Sequence, residues 1–421
     1  MTKNQAIDYL HYLLLGAASI FIILAPYEHK YLGKITFAAG LIILFAIKIL
    51  QYRGGFFHKI FIVRDLIRPF AVFGLACILS IIFSSDPYHS QAIFFDRYLV
   101  YVVFFAIGSM IVCQSRKSLY VFSGILLLSL LIYSLGGVRD YFYYCQVNPA
   151  LKERLWSVFG KRIPFYSFPL YLVFFIPFVF SLFVFAKNKI LKGAGLIGSI
   201  LLFLCLAWNT SRAAWLAIFI TLSGMVFIKF KRSRIFVLVF FLIMISLSFY
   251  LGDNKERMKT VLDPNSWSNR IPLYQSALRI FRDYPVLGIG LGTFEKFIRY
   301  PKYDLASNYP VSRELNLHAH NTYLEVAAEM GIVGLFSFLS IFAVFFWRAF
   351  KKIVSPEKDV SWNEQAVFIG LTASVLSALI FAFSTTFIIV GVNNSAYFWL
   401  LFGAAAGMLP NSRTLSEKSI P

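Results

Sequence analysis

Apolar runs, each near the ~20 residues that a helix needs to cross a bilayer, alternate with short polar connections along almost the whole chain. The runs fall at 9–26, 32–50, 69–83, 98–113, 118–135, 165–186, 193–208 and 213–228, then at one ending near 251, and at 323–350, 366–390 and 396–409. The pattern predicts an all-α fold, a polytopic transmembrane helical bundle of about twelve spans. Two connections stand out. A loop at 136–164 carries Arg139, Lys152, Arg154, Lys161 and Arg162, and a hydrophilic segment at 252–321 contains short helices between spans nine and ten. The expected organisation is therefore spans one to nine over 1–251, an exported loop domain over 252–321, and spans ten to twelve with a tail over 322–421.

Composition agrees with this pattern and charge orients it. Of 421 residues, 59% are hydrophobic and only 14% charged, against about a quarter charged in a soluble domain. The formal net charge of +20 would suggest nucleic acid in a soluble protein. Here the basic residues cluster in the connections after spans two, four, six, eight and ten, as the positive-inside rule and contact with anionic membrane lipids require. Nucleic-acid binding is set aside. Those connections and both termini are expected in the cytoplasm, and 252–321 outside it. The basic loop at 136–164 breaks the rule and hints at work on an anion. The first run lacks an Ala-x-Ala-like cleavage site and reads as a retained helix. Cys77, Cys113, Cys145 and Cys205 are scattered, without disulfide or metal-site spacing.

The candidate chemistry sits near the outer ends of the spans. In the stretch LNLHAHNTYLEVAAEMGIVGLF, His318 and His320 precede a helix start. Thr322 and Glu325 have capping-box spacing, so the helix is expected to begin near Tyr323. The unpaired N–H groups of such a helix end would lower the pKa of His320 and keep it neutral. Glu325 and Glu329, one turn apart, are candidate partners for Arg or His. Arg212 lies between two apolar runs; it either snorkels to headgroups or holds phosphate bidentately. Pro272 opens an amphipathic helix with Leu273, Ala277, Ile280 and Phe281 on its apolar stripe, expected at the membrane surface. Arg270 stands at its start, a second anion-binding candidate. Gly288, Gly290 and Gly292 form GIGLG, whose spacing is not that of a dinucleotide fingerprint; a turn permitting close backbone approach is the better reading. His318 and His320 could be a metal pair, but no third ligand is apparent, and neither metal nor cofactor is expected. Two cations and a base on one outer face suggest transfer from a lipid-linked sugar diphosphate, since the energised bond must arrive on the substrate outside the cytoplasm. A transporter would instead show repeated halves, and none is visible.

The elements TSRAAW, NRIPLYQSALRIFRDYPVLGIGLGTF and HAHNTYLEVAAEMGIVGLF, within 208–336, resemble the O-antigen ligase family, which shares its signature with O-antigen polymerases. Tyr274 stands where that family commonly has Trp. The resemblance implies a twelve-helix bacterial inner-membrane glycosyltransferase. It would move a glycan from an undecaprenyl-diphosphate donor to a sugar hydroxyl of a lipid A–core acceptor at the periplasmic face, with inversion and without metal. Polymerisation onto a second lipid-linked glycan is the alternative. Carried over by motif, Arg212 and Arg270 bind the diphosphate and His320 is the base. His318, Asn321, Tyr323 and Glu325 would support them.

Overall fold

The computed structural model describes residues 3–27, 31–51, 64–147, 157–158, 161–162, 167–209, 211–230, 270–305, 317–356 and 360–409. Helices dominate: α1 (Lys3–Leu24), α2 (Leu32–Gln51), α3 (Arg64–Ile82), α4 (Pro87–Ile93), α5 (Leu99–Gln114), α6 (Arg116–Val147), α7 (Ser167–Phe185), α8 (Lys189–Asn209), α9 (Arg212–Lys229), α10 (Ile271–Asp283), α11 (Phe294–Phe297), α12 (Thr322–Val354), α13 (Trp362–Phe381) and α14 (Val392–Gly407). The described strands, β1 (Ser157–Val158) and β2 (Lys161–Arg162), form one antiparallel pair. Among the described residues nine helices are long and apolar enough to cross a membrane. The protein is an all-α polytopic membrane bundle. The predicted second and twelfth spans correspond to α2, whose apolar part is Leu32–Ile47, and to the 16-residue α14. The ninth lies outside the described residues.

Two expected boundaries move. The loop placed at 136–164 begins instead as helix, because α6 runs unbroken for 32 residues to Val147. Its extra turns have partners: Tyr141 stacks on Trp208 of α8 with centroids 3.9 Å apart, and Arg139 pairs with Asp140 at 3.2 Å. The fourth span starts at Pro87 rather than 98. Asp86 caps the helix by accepting from His89 N–H, and Pro87 takes the first turn, where its missing donor costs nothing. Between α4 and α5 the turn Phe94–Tyr98 is π-helical, with Leu99 N–H donating to Phe94 C=O.

The bundle closes around α7, which is buried along nearly its whole length. In a bilayer the lipid is as apolar as leucine, so hydrogen bonds and close contact hold helices together. Ser181 of α7 donates to Ala366 C=O, and Ser374 of α13 to Phe174 C=O, both at 2.6 Å. Where α5 meets α14, a Cβ on Gly108 would stand 2.1 Å from Leu400 O, and one on Gly403 2.0 Å from Phe105 O. Only glycine permits this approach. Lys229 at the end of α9 lies over the ring of Trp362, which starts α13, 5.6 Å from its centroid. The two helices are therefore antiparallel, and Arg212 shares an end of the bundle with the last turn of α13.

At that end a second, smaller core forms from Leu273, Ala277 and Ile280 of α10 with Phe294, Phe297, Ala319 and Ala328, among others. The apolar stripe of α10 is thus filled by the protein's own side chains, a correction to its expected seat on the membrane surface.

Candidate functional site

The site is built on the start of α12. The expected capping box does not form. Asn321 is the cap: its side chain accepts from Tyr323 and Leu324 N–H at 3.0 and 3.1 Å. Thr322 is already helical and turns away, its hydroxyl donating to Thr385 C=O at 2.9 Å. Tyr323 donates to Leu379 C=O at 2.7 Å and so ties the same turn to α13. Glu325, freed from capping, reaches back along the incoming loop. One carboxylate oxygen accepts from His318 Nδ1 and the other from Ala319 N–H, both at 2.8 Å. Glu325 is 1% exposed. A buried carboxylate with two donors is a strong tether for that loop.

The tether leaves His320 at φ 48°, the one described non-glycine residue in left-handed conformation. Such backbone costs of order 1–3 kcal/mol for a side chain of this kind and persists only where neighbours enforce it. Burial first, then the guanidinium of Arg270, push the His320 pKa down to about 4. The imidazole is therefore neutral near pH 7, as expected from sequence, though the cause is burial and a neighbouring cation. His318 behaves oppositely. Burial disfavours its charged form, but the carboxylate of Glu325 outweighs burial and holds it above its ordinary value. One neutral and one charge-favouring imidazole thus stand two residues apart.

Arg270 precedes α10 and its guanidinium donates to Ser384 C=O at 3.0 Å, which anchors it beside His320. Arg212 is the first residue of α9, exposed, behind the Ser211 cap. The antiparallel pairing of α9 with α13 brings it to the same end of the bundle. The structure thus joins Arg270, His318, His320, Asn321, Tyr323 and Glu325 in one locale and places Arg212 at that locale's end of the molecule.

Beneath the histidines α12 is broken. Gly331 has φ 64° and ψ −163°, so the backbone leaves the helix for one residue. The GIGLG turn repairs the lost hydrogen bonds. Ile289 and Gly290 N–H donate to Ala328 and Glu329 C=O at 3.1 and 2.9 Å, while Ile332 N–H donates to Pro285 C=O at 2.8 Å. Gly288 lies against the Glu329–Met330 backbone, where a Cβ would come within 2.3 Å. The Glu329 carboxylate accepts from Phe294 N–H at 3.1 Å. The residue Ser85 before α4 and the first turn of α4 clamp the turn from the other side: Ser85 N–H donates to Ile289 C=O, Ser90 to Leu291 C=O and His89 to Gly292 C=O, at 3.0, 2.9 and 3.0 Å.

Sequence reasoning missed one charged group here. Arg97, on the π-helical turn, exerts its charge on His318. The available signal was an arginine at the edge of an apolar run, the same signal that singled out Arg212. Among the described residues no three His, Cys, Asp or Glu side chains are grouped to hold a metal ion.

The O-antigen ligase family model matches residues 197–339. The chain is also similar to the teichuronic acid biosynthesis protein TuaE of Bacillus subtilis (strain 168), 24% identical over 249 residues, which is 55% of this chain and 48% of that protein. The match thus spans about half the length of that relative. The matched region holds Arg212, Arg270, the histidine loop and the broken start of α12. The candidate site thus lies within the part of the chain, residues 197–339, that resembles the O-antigen ligase family.

Proposed function

We propose that the protein is an O-antigen ligase, transferring a glycan from undecaprenyl diphosphate to a sugar hydroxyl of lipid A–core at the periplasmic face of the bacterial inner membrane. The observation that carries this reading is His320, held neutral and in strained backbone beside the Arg270 guanidinium. The acceptor hydroxyl attacks the anomeric carbon from the face opposite the diphosphate, and His320 takes its proton. The new C–O bond forms as the bond to the diphosphate oxygen breaks. The electron pair leaves on that oxygen, where Arg270 and Arg212 stabilise the growing charge. A single displacement of this kind inverts the anomeric centre. The match to the family over residues 197–339 supports the coarser statement, a ligase- or polymerase-type glycosyltransferase of cell-surface polysaccharide assembly.

The relative named for teichuronic acid biosynthesis favours a second reading, the same transfer onto another lipid-linked glycan. Purified protein given undecaprenyl-diphosphate glycan, with lipid A–core or alone, separates the two by product. His320→Ala and Arg212→Ala are each expected to lose product at unchanged expression; wild-type rates in either variant remove that residue from the mechanism.

A further inference from the structure

Arg97 is a cation the transfer reading leaves without a task. Counted from Gln114 at the other end of α5, it lies 17 residues along a continuous helical span. At 1.5 Å per residue that is ~26 Å, close to the thickness of the hydrocarbon core. Arg97 therefore sits at the membrane boundary, where an unemployed charge is costly. It is half-buried and makes no ion pair or hydrogen bond among the described residues. Its neighbours are engaged: Asp96 pairs with Lys34 at 2.6 Å, and Tyr98 packs on Phe73 with centroids 6.0 Å apart. The π-helical turn adds one residue to the helix and re-aims the side chains beyond it, a device frequent at functional sites.

Its position faces the histidine loop. The α4 segment leading into the turn is bolted to the GIGLG turn through His89 and Ser90, and that turn is bolted to the break in α12. Ile93, just before the π turn, packs so closely that a Cβ on Gly292 would stand 2.6 Å from it. The charge of Arg97 reaches His318 and Glu329, whereas that of Arg270 reaches His320. Arg97 thus acts on the first histidine of the His-Ala-His segment and Arg270 on the second. The nearby carboxylates are committed elsewhere, Glu325 to His318 and Ala319, and Glu329 to Phe294 N–H. Arg97 is therefore left as a bidentate donor with no carboxylate partner among the described residues.

We propose that Arg97 is a binding residue for a phosphate group on the acceptor glycan, seated near His318 while the donor diphosphate meets Arg270 beside His320. This rests on the transfer reading for the identity of the acceptor. A planar guanidinium at a dry boundary favours such a group through paired charge-assisted hydrogen bonds.

The test uses the full-length protein in lipid nanodiscs with lipid A–core, intact or phosphatase-treated, and undecaprenyl-diphosphate glycan. Arg97→Gln is expected to raise the KM for intact lipid A–core by about tenfold and to leave the donor KM within about twofold. Arg97→Lys recovers part of the loss. Phosphatase treatment reproduces the loss in wild type and adds nothing in Arg97→Gln. Retention of intact lipid A–core on immobilised protein without donor gives the same ranking independently of turnover. A raised donor KM, equal binding of treated and untreated acceptor, or no retention by wild type each overturns the proposal. Arg97-dependent retention without any product sinks the transfer reading alone.

Discussion

At the scale of residues, the two histidines differ through opposite electrostatics. His320 has a folded pKa of about 4 against an ordinary 6.5. It stays in its base form across the neutral range, so the acid limb of kcat/KM is expected to fall near pH 4 to 5 rather than near 6.5. A pH–rate profile breaking near 6.5 contradicts His320 as the proposed base. Stability depends on pH with a definite sign. Between pH 6.5 and about 4 the unfolded chain binds a proton at His320 that the folded chain refuses. The contribution of His320 is therefore present above 6.5 and lost as pH falls toward 4. His318, raised by Glu325, contributes in the other direction: its share is full below 6.5 and lost as pH rises through the folded value. Glu325→Ala tests the tether itself. It strips a buried acceptor from Ala319 N–H and His318, at a cost of about 2–3 kcal/mol. The thermal unfolding midpoint in detergent should drop with it, and Glu325→Gln, which keeps an acceptor, should drop it less. Equal midpoints for Glu325→Ala and wild type would show that the tether holds nothing.

At the scale of elements, the break in α12 is the feature on which the site stands. A helix ending smoothly at Gly331 would leave four carbonyls and four amides to solvent or lipid, which neither the buried Glu329 nor a bilayer tolerates. The GIGLG turn supplies those partners, so break and turn are one unit built from segments some forty residues apart. Gly331→Ala should therefore destabilise the protein by about 1–3 kcal/mol, although alanine is the better helix former. The positive φ and a contact 2.2 Å from Val286 O outweigh propensity. A raised unfolding midpoint in Gly331→Ala would mean that the break is not required. This pairing also marks where sequence reading stops. The spans were legible because lipid imposes length and apolarity on every one, and GIGLG was legible as a close-approach turn. That its partner is the break at Gly331 in α12 was not, because the hydrogen bonds join backbone to backbone and no side chain announces them. The capping box failed for a related reason. Thr-x-x-Glu fits a local rule, but Asn321 competes for the same amides, and Glu325 gains more from a histidine and an amide that are only six and seven residues behind it.

At the scale of the whole molecule, one axis organises charge and chemistry. Lys187 and Lys229 lie over Trp362, and Arg116 pairs with Glu364, all at the end remote from the histidines. Arg270, His320 and the end of α9 that carries Arg212 occupy the other. By the positive-inside rule the basic end is predicted to face the cytoplasm and the histidine end outward. On the proposed transfer this orientation has a consequence, because a lipid-linked diphosphate donor must be met on the side where it is presented. Tyr300, 53% exposed beside the smaller core, and Lys189, exposed at the start of α8, are suitable reporters. In a variant lacking the four native cysteines, Tyr300→Cys should react with a membrane-impermeant maleimide on spheroplasts, and Lys189→Cys only after permeabilisation. The reverse pattern would place the histidine loop in the cytoplasm. There a nucleotide-activated sugar would be the available donor, and Arg270 and Arg212 would need to be reconsidered as ligands of a soluble diphosphate rather than of one anchored in lipid.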